Sequence, residues 1–530
     1  MFKPTFNRAT KVWSGPKVPP IFKPDQNLGQ LIVKVLEQTP DAVTQISADS
    51  NVSVTCGEMR ERILKFAVHL NNLGLKEGDV IGVVAGNTEN IAPVVFACFL
   101  LGLPVNPLAP IMIESDIVQM YSKTKPKLIF CDEKNLKTVQ NALDMMKSEA
   151  KIYTVMEKVD NYECVTEILK NDVNFDNLLL PEVDPKSILI ILCSSGSTGS
   201  PKGICKSHRE VLSAIFPLYN NHLNERAIFF VISPVFWFSG FLFLLMSSLF
   251  NYTRVITAEP YNPKRFIDIL SKYNVNLTMT PPFLLVNLLQ SGEMKKLEKM
   301  KVWLLAGATV SKEVFEKFLP FIPNSMLVNG YACTEENVMA INYEMRKYES
   351  CGFPVQNVEI QIADDDGNAL ENNQNGEIYI KVPIHFLNYF EEPEKTREAF
   401  NGDWFKTGDI GHFDDEGFLY ITDRKKDLMK FQGYQVTPSE IETIINELKG
   451  VVSSCVVGVF DSVNSNDIIH AFVIVEDTKN ITEDQIKIYV NERVIDQKKI
   501  RGDVHFVKSF PLGITGKVDR KKVREMAQRT

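Results

Sequence analysis

Short apolar runs recur through the first half of the chain, each followed by a stretch with helical spacing, and this alternation restricts the fold more than any other feature. Val80–Val84 has the pattern of a buried strand, Asn90–Leu103 that of a helix, and Lys127–Cys131 that of the next strand. Ser187–Cys193, Phe229–Ile232, Arg254–Ala258 and Leu277–Met279 continue the series, with helical patterns between them. Strands this short and apolar suit sheets covered by helices on both faces, so the pattern predicts an α/β fold with mostly parallel sheets. Beyond residue 350 the texture changes. Val358–Ile362 and Glu377–Lys381 alternate, and Asp364–Gly367 and Asp414–Gly417 are turn signals, which together predict a small antiparallel β unit. The charged segment Asp423–Asp427 precedes a βαβ-like tail with apolar strands at Val451–Phe460 and Ile469–Val475, and a domain boundary is expected there. A chain of 530 residues requires more than one core.

Composition narrows the function classes. A net charge of −8 leaves no electrostatic footprint for nucleic acid. Nine cysteines, odd in number and without a CxxC pair, read as reduced thiols rather than a disulfide framework. The seven histidines show no zinc-ligand spacing. Two uncharged stretches, Ala227–Thr253 and Ile91–Ile113, are long enough to span a bilayer, but Ser233-Pro234 and Ser239-Gly240 break the first, and Pro93, Pro104, Pro107 and Pro110 break the second. Buried strands, loops and helices are the expected reading, with no transmembrane segment. The first residues are basic but proline-rich and lack an apolar signal core, and the last are Ala527–Thr530 rather than a Ser-Lys-Leu address. A cytoplasmic location is expected, with a peroxisomal one as the alternative.

The strongest chemical signal is Ser194-Ser195-Gly196-Ser197-Thr198-Gly199-Ser200-Pro201-Lys202-Gly203, directly after an apolar run. Small residues let main-chain N–H groups approach an anion, the hydroxyls add donors, and Lys202 adds charge. The segment is neither a Walker A loop nor a dinucleotide-binding GxGxxG. A flexible polar linker is the bland alternative, but a linker seldom joins a buried strand to a Pro-Lys-Gly stop.

This loop resembles the phosphate-binding signature of the adenylate-forming (acyl-activating) superfamily, which includes acyl-CoA synthetases, 4-coumarate:CoA ligases, beetle luciferases and peptide-synthetase adenylation domains. The resemblance covers nearly the whole chain, with motifs in family order, and is nearest to the insect luciferase-like acyl-CoA ligases. It implies a large N-terminal domain, residues 1–425, made of two mostly parallel α/β subdomains and a β-barrel-like unit. A small, mobile α+β domain, residues 426–530, follows, with its hinge at Lys426. Gly330-Tyr331-Ala332-Cys333-Thr334-Glu335 is similar to the family's Gly-Tyr-Gly-x-Thr-Glu segment. There the ring stacks on adenine, the threonine meets the α-phosphate and the glutamate ligates Mg²⁺, roles chemically suited to those residue types. Ala306-Gly307-Ala308 resembles the strand end lining the adenine slot. Asp409 of Thr407-Gly408-Asp409 would accept the ribose hydroxyls, with Arg424 beside it. In isolation, Tyr331 would be an ordinary core tyrosine and Asp409 a turn residue.

The resemblance therefore implies ATP, Mg²⁺ and coenzyme A as ligands. ATP would be held by Ser194, Ser195, Gly196, Ser197, Thr198, Gly199, Lys202, Gly307, Ala308, Gly330, Tyr331, Ala332, Thr334, Asp409, Arg424, Gly433 and Gln435. Thr198 and Glu335 would hold the metal. Lys517, within Thr515–Arg520, would drive adenylation alongside Thr334 and Glu335, and Lys430 would serve the second half-reaction. The acyl pocket is expected around Trp237, Phe238 and Met339, apolar and bulky, which favours fatty acids of medium to long chain or aryl acids over amino acids. The pattern is not kept everywhere. Trp237 falls where the family commonly has a histidine, and a tryptophan cannot take its acid–base or charge role. Ala332 replaces a glycine, Val382-Pro383 replaces a Gly-Pro, and Glu349–Gly352 keeps only part of a glycine-rich turn. Two alternatives stand beside the ligase: a luciferase-like monooxygenase acting on an adenylated luciferin, and a nucleotide- or acyl-binding paralogue with weak turnover or none.

Overall fold

Strands that bury both faces demand helices on both sides, and the computed structural model is built on that rule. It describes residues 3–175, 178–194, 202–216, 226–307, 312–344, 347–431, 434–461, 466–476, 481–513 and 517–529. The chain gathers into two compact units, Met1–Thr5, Trp13–Glu359 and Ile380–Asp403 in one, and Phe6–Val12, Ile360–Tyr379 and Trp404–Thr530 in the other.

The first unit holds two large mixed sheets. In one, Ile188–Ser194, Val105–Leu108, Ile81–Val84, Leu128–Cys131, Lys151–Thr154 and Glu163–Cys164 lie side by side and parallel, while Lys202–Ser207 and Asn388–Tyr389 complete one edge antiparallel. In the other, Val43–Ser47, Thr253–Ile256, Ile228–Phe230, Leu277–Thr280, Val302–Ala306 and Met326–Cys333 are parallel, and Asn337–Asn342, Phe353–Pro354 and Ser53–Thr55 are antiparallel at the edges. Ile81–Val84, Val105–Leu108 and Leu128–Cys131 are buried along their whole length, as parallel strands between helix layers must be.

The α/β expectation holds. The strand Val105–Leu108 went unread because Pro107 sits in it, and proline normally argues against a central strand. The helix read as Asn90–Leu103 runs Ile91–Leu100, buried at every position, with Pro93 in the first turn where its missing N–H costs nothing. Helix Cys56–Asn72 packs beside it and opens on a capping box, Thr55 accepting from Glu58 N and Glu58 accepting from Thr55 N. The uncharged stretch after Ala227 becomes strand Ile228–Phe230, a turn and helix Phe238–Leu249. Among the described residues no helix is long and apolar enough to cross a membrane. None of the nine cysteines forms a disulfide, and eight of them are buried.

The second unit contains most of the antiparallel strands Glu359–Ala363 and Gly376–Lys381 and all of Trp404–Phe413 and Leu419–Arg424. It continues into Val451–Asp461 and Asn466–Val475, paired antiparallel, with Val504–Phe506 added parallel. Helices Pro438–Asn446, Glu483–Asn491 and Arg520–Ala527 complete it. Its core joins Val436, Ile441 and Ile445 to Val456, Ile469, Ala471, Val473, Ile486 and Val490.

Candidate active site

Both signature segments of the first unit lie where parallel order gives way to antiparallel pairing. Ile188–Ser194 and Lys202–Ser207 pair antiparallel, with Ser194 opposite Lys202, so the two ends of the serine–glycine loop are register partners. Ser195, Gly196, Ser197, Thr198 and Gly199 lie outside the described residues, as do Ala308 and Gly433, and Ser194 is described by its backbone alone. In the second sheet, Met326–Cys333 pairs antiparallel with Asn337–Asn342, and the turn between them carries Thr334 and Glu335.

A tyrosine that the sequence reading passed over joins these two segments. Tyr389, on the edge strand beside Lys202–Ser207, donates its hydroxyl to Glu335 Oε1 at 3.0 Å. Lys202 Nζ stands 4.5 Å from the centroid of the same ring. Burial, together with the charge of Glu335, pushes the Tyr389 phenol far above its ordinary range and keeps it a donor.

A second link was also unread. Lys206 and Glu210 have no exposed side-chain surface and lie 2.5 Å apart, Nζ to Oε1. Lys206 Nζ donates further to the carbonyl oxygens of Thr334 at 2.8 Å and Glu335 at 3.0 Å. Asn337 Nδ2 donates to Glu210 Oε1 at 3.1 Å, and Ser207 caps helix His208–Ala214 by accepting from Glu210 N. Burial raises the Glu210 pKa, and the Lys206 charge opposes it. The signal was present in the chain: Lys206 is a lone charge in an otherwise uncharged run after the loop, four residues before an acid.

Glu336, next in the turn, is almost fully buried and meets His385 Nδ1 at 3.0 Å, while His385 Nε2 faces the Asp403 carbonyl at 3.1 Å. Burial alone would lower the His385 pKa, but the hydrogen bond and charge of Glu336, with the Asp403 carbonyl, raise it overall. With an acceptor on each nitrogen, the imidazolium is the form that satisfies both contacts.

Tyr331 is largely buried on strand Met326–Cys333, and a bulge between Tyr331 and Ala332 leaves Ala332 exposed. Gly330 pairs with Ala306, so the two strand ends expected at the adenine slot are neighbours. Gly307 follows at φ +98, a conformation that favours glycine.

Trp237 and Phe238 are half-buried at the start of helix Phe238–Leu249, Trp237 standing at the N-cap with no side-chain cap bond. Phe238 lies under Lys206, Nζ to ring centroid 5.8 Å, which places this helix start beside the Thr334–Glu335 turn. Asn87 Nδ2 holds the preceding loop through the carbonyls of Ile232 and Ser233. Met339 is fully buried, its sulfur 3.9 Å from the Cys333 thiol.

In the second unit Asp409 and Arg424 are register partners, and Arg424 Nε contacts Asp409 Oδ1 at 2.7 Å. Asp409 is buried and Arg424 half exposed. Gly408 takes φ +71, and its N–H donates to Glu377 Oε1, which fixes the turn before Asp409. Lys517 is reached by solvent yet set in crowded surroundings. Desolvation first, then the positive charges of Arg424 and Lys426, lower its ammonium pKa, against the opposing pull of Asp409. Arg424, Lys426 and Asp409 thus all act on Lys517. Lys430 and Gln435 are register partners in the hairpin Met429–Phe431 with Tyr434–Val436, described here by backbone alone.

Comparison with known proteins agrees with this layout. The AMP-binding enzyme family matches residues 33–390, and the AMP-binding enzyme C-terminal domain family matches residues 440–517. The chain is 29% identical to luciferin 4-monooxygenase of Nipponoluciola cruciata, over 92% of each chain. It is 26% identical to 4-coumarate-CoA ligase 1 of Narcissus pseudonarcissus, over 96% of this chain and 95% of the relative. A benzoate CoA ligase from Burkholderia xenovorans shares the fold with a TM-score of 0.83 at 21% identity, over 94% of this chain and 100% of the other. A match that runs unbroken through both large sheets and resumes in the second unit leaves one assignment: the chain belongs to the AMP-binding enzyme family, the adenylate-forming superfamily.

Proposed function

We propose that this protein is an acid–thiol ligase that activates a fatty or aryl carboxylic acid with ATP and transfers the acyl group to coenzyme A. The observation that carries the reading is Tyr389, whose hydroxyl donates to the Glu335 carboxylate and whose ring lies under the Lys202 ammonium. An acid and a loop cation tied to one rigid group are suited to a magnesium triphosphate. The hard, hydrogen-bonded oxygen of Glu335 fits Mg²⁺, with Thr198 as its proposed companion, and the ion would offset phosphate charge.

A carboxylate oxygen of the acid attacks the α-phosphorus, the bond to pyrophosphate breaks, and an acyl-adenylate forms. Lys517, Lys202 and Thr334 stabilise the charge that develops on phosphate and leaving group. Tyr331, Gly307 and Gly330 receive adenine, and Asp409 with Arg424 receives the ribose. For the second half-reaction the chain divides at 425/426 and turns about Lys426, bringing Lys430, Gly433 and Gln435 forward. The thiolate then attacks the acyl carbon, and AMP leaves. Trp237, Phe238 and Met339 shape an apolar acyl pocket without a fixed cation for a polar side chain, which supports fatty or aryl acids. Acid-dependent ATP–pyrophosphate exchange, followed by AMP release with coenzyme A across a panel of acids, tests the proposal. No exchange with any acid would defeat it.

The similarity to luciferin 4-monooxygenase favours one second reading, oxidation of an adenylated luciferin. Light on mixing the protein with luciferin, ATP and Mg²⁺ would select it over the ligase.

A further inference from the structure

The fully buried pair of Lys206 and Glu210 has no part in the chemistry just described, yet it sits between the two segments that would face the triphosphate. An ammonium carries three N–H donors. Those of Lys206 have three acceptors within 3.0 Å: Glu210 Oε1, the Thr334 carbonyl and the Glu335 carbonyl. The lysine is thus committed to protein, with no donor left for a substrate. Its strand begins at Lys202, where the serine–glycine loop ends, and its bonds reach the turn at the antiparallel edge of the other sheet. Asn337, at φ +65 on the far side of that turn, closes the circuit on Glu210. A buried ion pair is poorly explained by stability alone, because well-packed apolar residues of similar size commonly serve as well or better. What apolar residues cannot do is hold two carbonyl groups at set positions.

We propose that Lys206 and Glu210 are positioning residues that fix the main chain of Thr334 and Glu335, and so set the Glu335 carboxylate for Mg²⁺ and the Thr334 hydroxyl for phosphate. The inference rests on the reading of this site as one for magnesium ATP. It makes the metal response, rather than the fold, the property that the pair controls.

The test compares wild type with Lys206→Met and with the double variant Lys206→Met/Glu210→Gln, which removes both charges and keeps an acceptor for Asn337. Calorimetric titration of Mg²⁺ into protein with ATP is read beside the melting temperature, and the KM for Mg²⁺ and kcat are read in pyrophosphate exchange. The double variant is expected to melt near wild type but to bind Mg²⁺ roughly ten- to a hundredfold more weakly, the loss usual when a partner behind a metal ligand is removed. Lys206→Met alone, which strands the Glu210 carboxylate, is expected to lose melting temperature as well. A double variant with wild-type Mg²⁺ affinity and kcat would overturn the proposal and leave the pair a purely structural feature. A double variant that does not fold would overturn it too, since stability would then be the pair's main role. Wild type that binds magnesium ATP but exchanges pyrophosphate with no acid would sink the ligase reading alone, and the Mg²⁺ titration would still decide the positioning role.

Discussion

His208 follows the strand of Lys206, fully buried, and shows how a single residue here couples stability to pH. Leu28 N donates to its Nδ1 at 3.1 Å, so the other nitrogen carries the proton, and Nε2 has no hydrogen-bond partner among the described residues. Burial pushes the ring's pKa from the ordinary 6.5 down to about 4. The unfolded chain therefore takes up a proton below 6.5 that the folded chain refuses. Stability falls as pH drops from 6.5 towards 4, by about 2 kcal/mol at pH 5 from this group. Melting temperature is expected to decline less steeply between pH 7 and 5 in His208→Gln than in wild type, and parallel slopes would refute the assignment. In the sequence this histidine gave no sign of its role, because burial is set by residues far from it in the chain.

Helices carry the next scale. Helix Phe238–Leu249 approaches its own leading turn so closely that a Cβ on Gly240 would lie 2.0 Å from the Pro234 carbonyl oxygen. Both partners are backbone, so Gly240→Ala must displace the turn that presents Trp237 and Phe238, at a cost of about 1–3 kcal/mol. The KM for the acid is expected to change while that for ATP holds, which steady-state kinetics would show. In the second unit the guanidinium of Arg520 grips Glu442 with both forks, at 2.7 and 2.9 Å, and donates to the Val456 carbonyl at 2.8 Å. This fastens the last helix to helix Pro438–Asn446 and to the strand between them. Arg520→Ala leaves a mostly buried carboxylate without its cation and is expected to cost about 3 kcal/mol in urea unfolding. Arg520→Lys should recover little of it, because an ammonium cannot match two oxygens at once. Of these elements, the helix in the broken apolar stretch was legible, whereas the two helices joined by Arg520 were not singled out. The strand holding Pro107 was not, because local propensity argues against proline in a strand while burial between two neighbours rewards it.

At the level of the molecule, the two proposed half-reactions would require two sets of groups. Lys517, Arg424 and Asp409 belong to the second unit, where desolvation first and then the charge of Arg424 lower the lysine's affinity for its proton while Asp409 opposes them. Lys517→Ala is expected to slow adenylation by about a hundredfold or more, the scale of losing one aimed donor. Thioester formation from supplied acyl-adenylate should stay largely intact. Rapid-quench measurement of both steps checks this, and equal damage to both would count against two separate catalytic arrangements.

The chain's own order of residues determined the α/β class, the breaks in its uncharged stretches and the motifs that mark the family, because periodicity, glycine and proline act over a few neighbouring residues. Tertiary structure alone decided that Tyr389 bridges Lys202 and Glu335, that Lys206 holds the Thr334–Glu335 turn, and that Glu336 pairs with His385. Each joins residues tens of positions or more apart. Hydrogen bonds and buried charges depend on distance and desolvation in space, and both exist only once the sheets have packed.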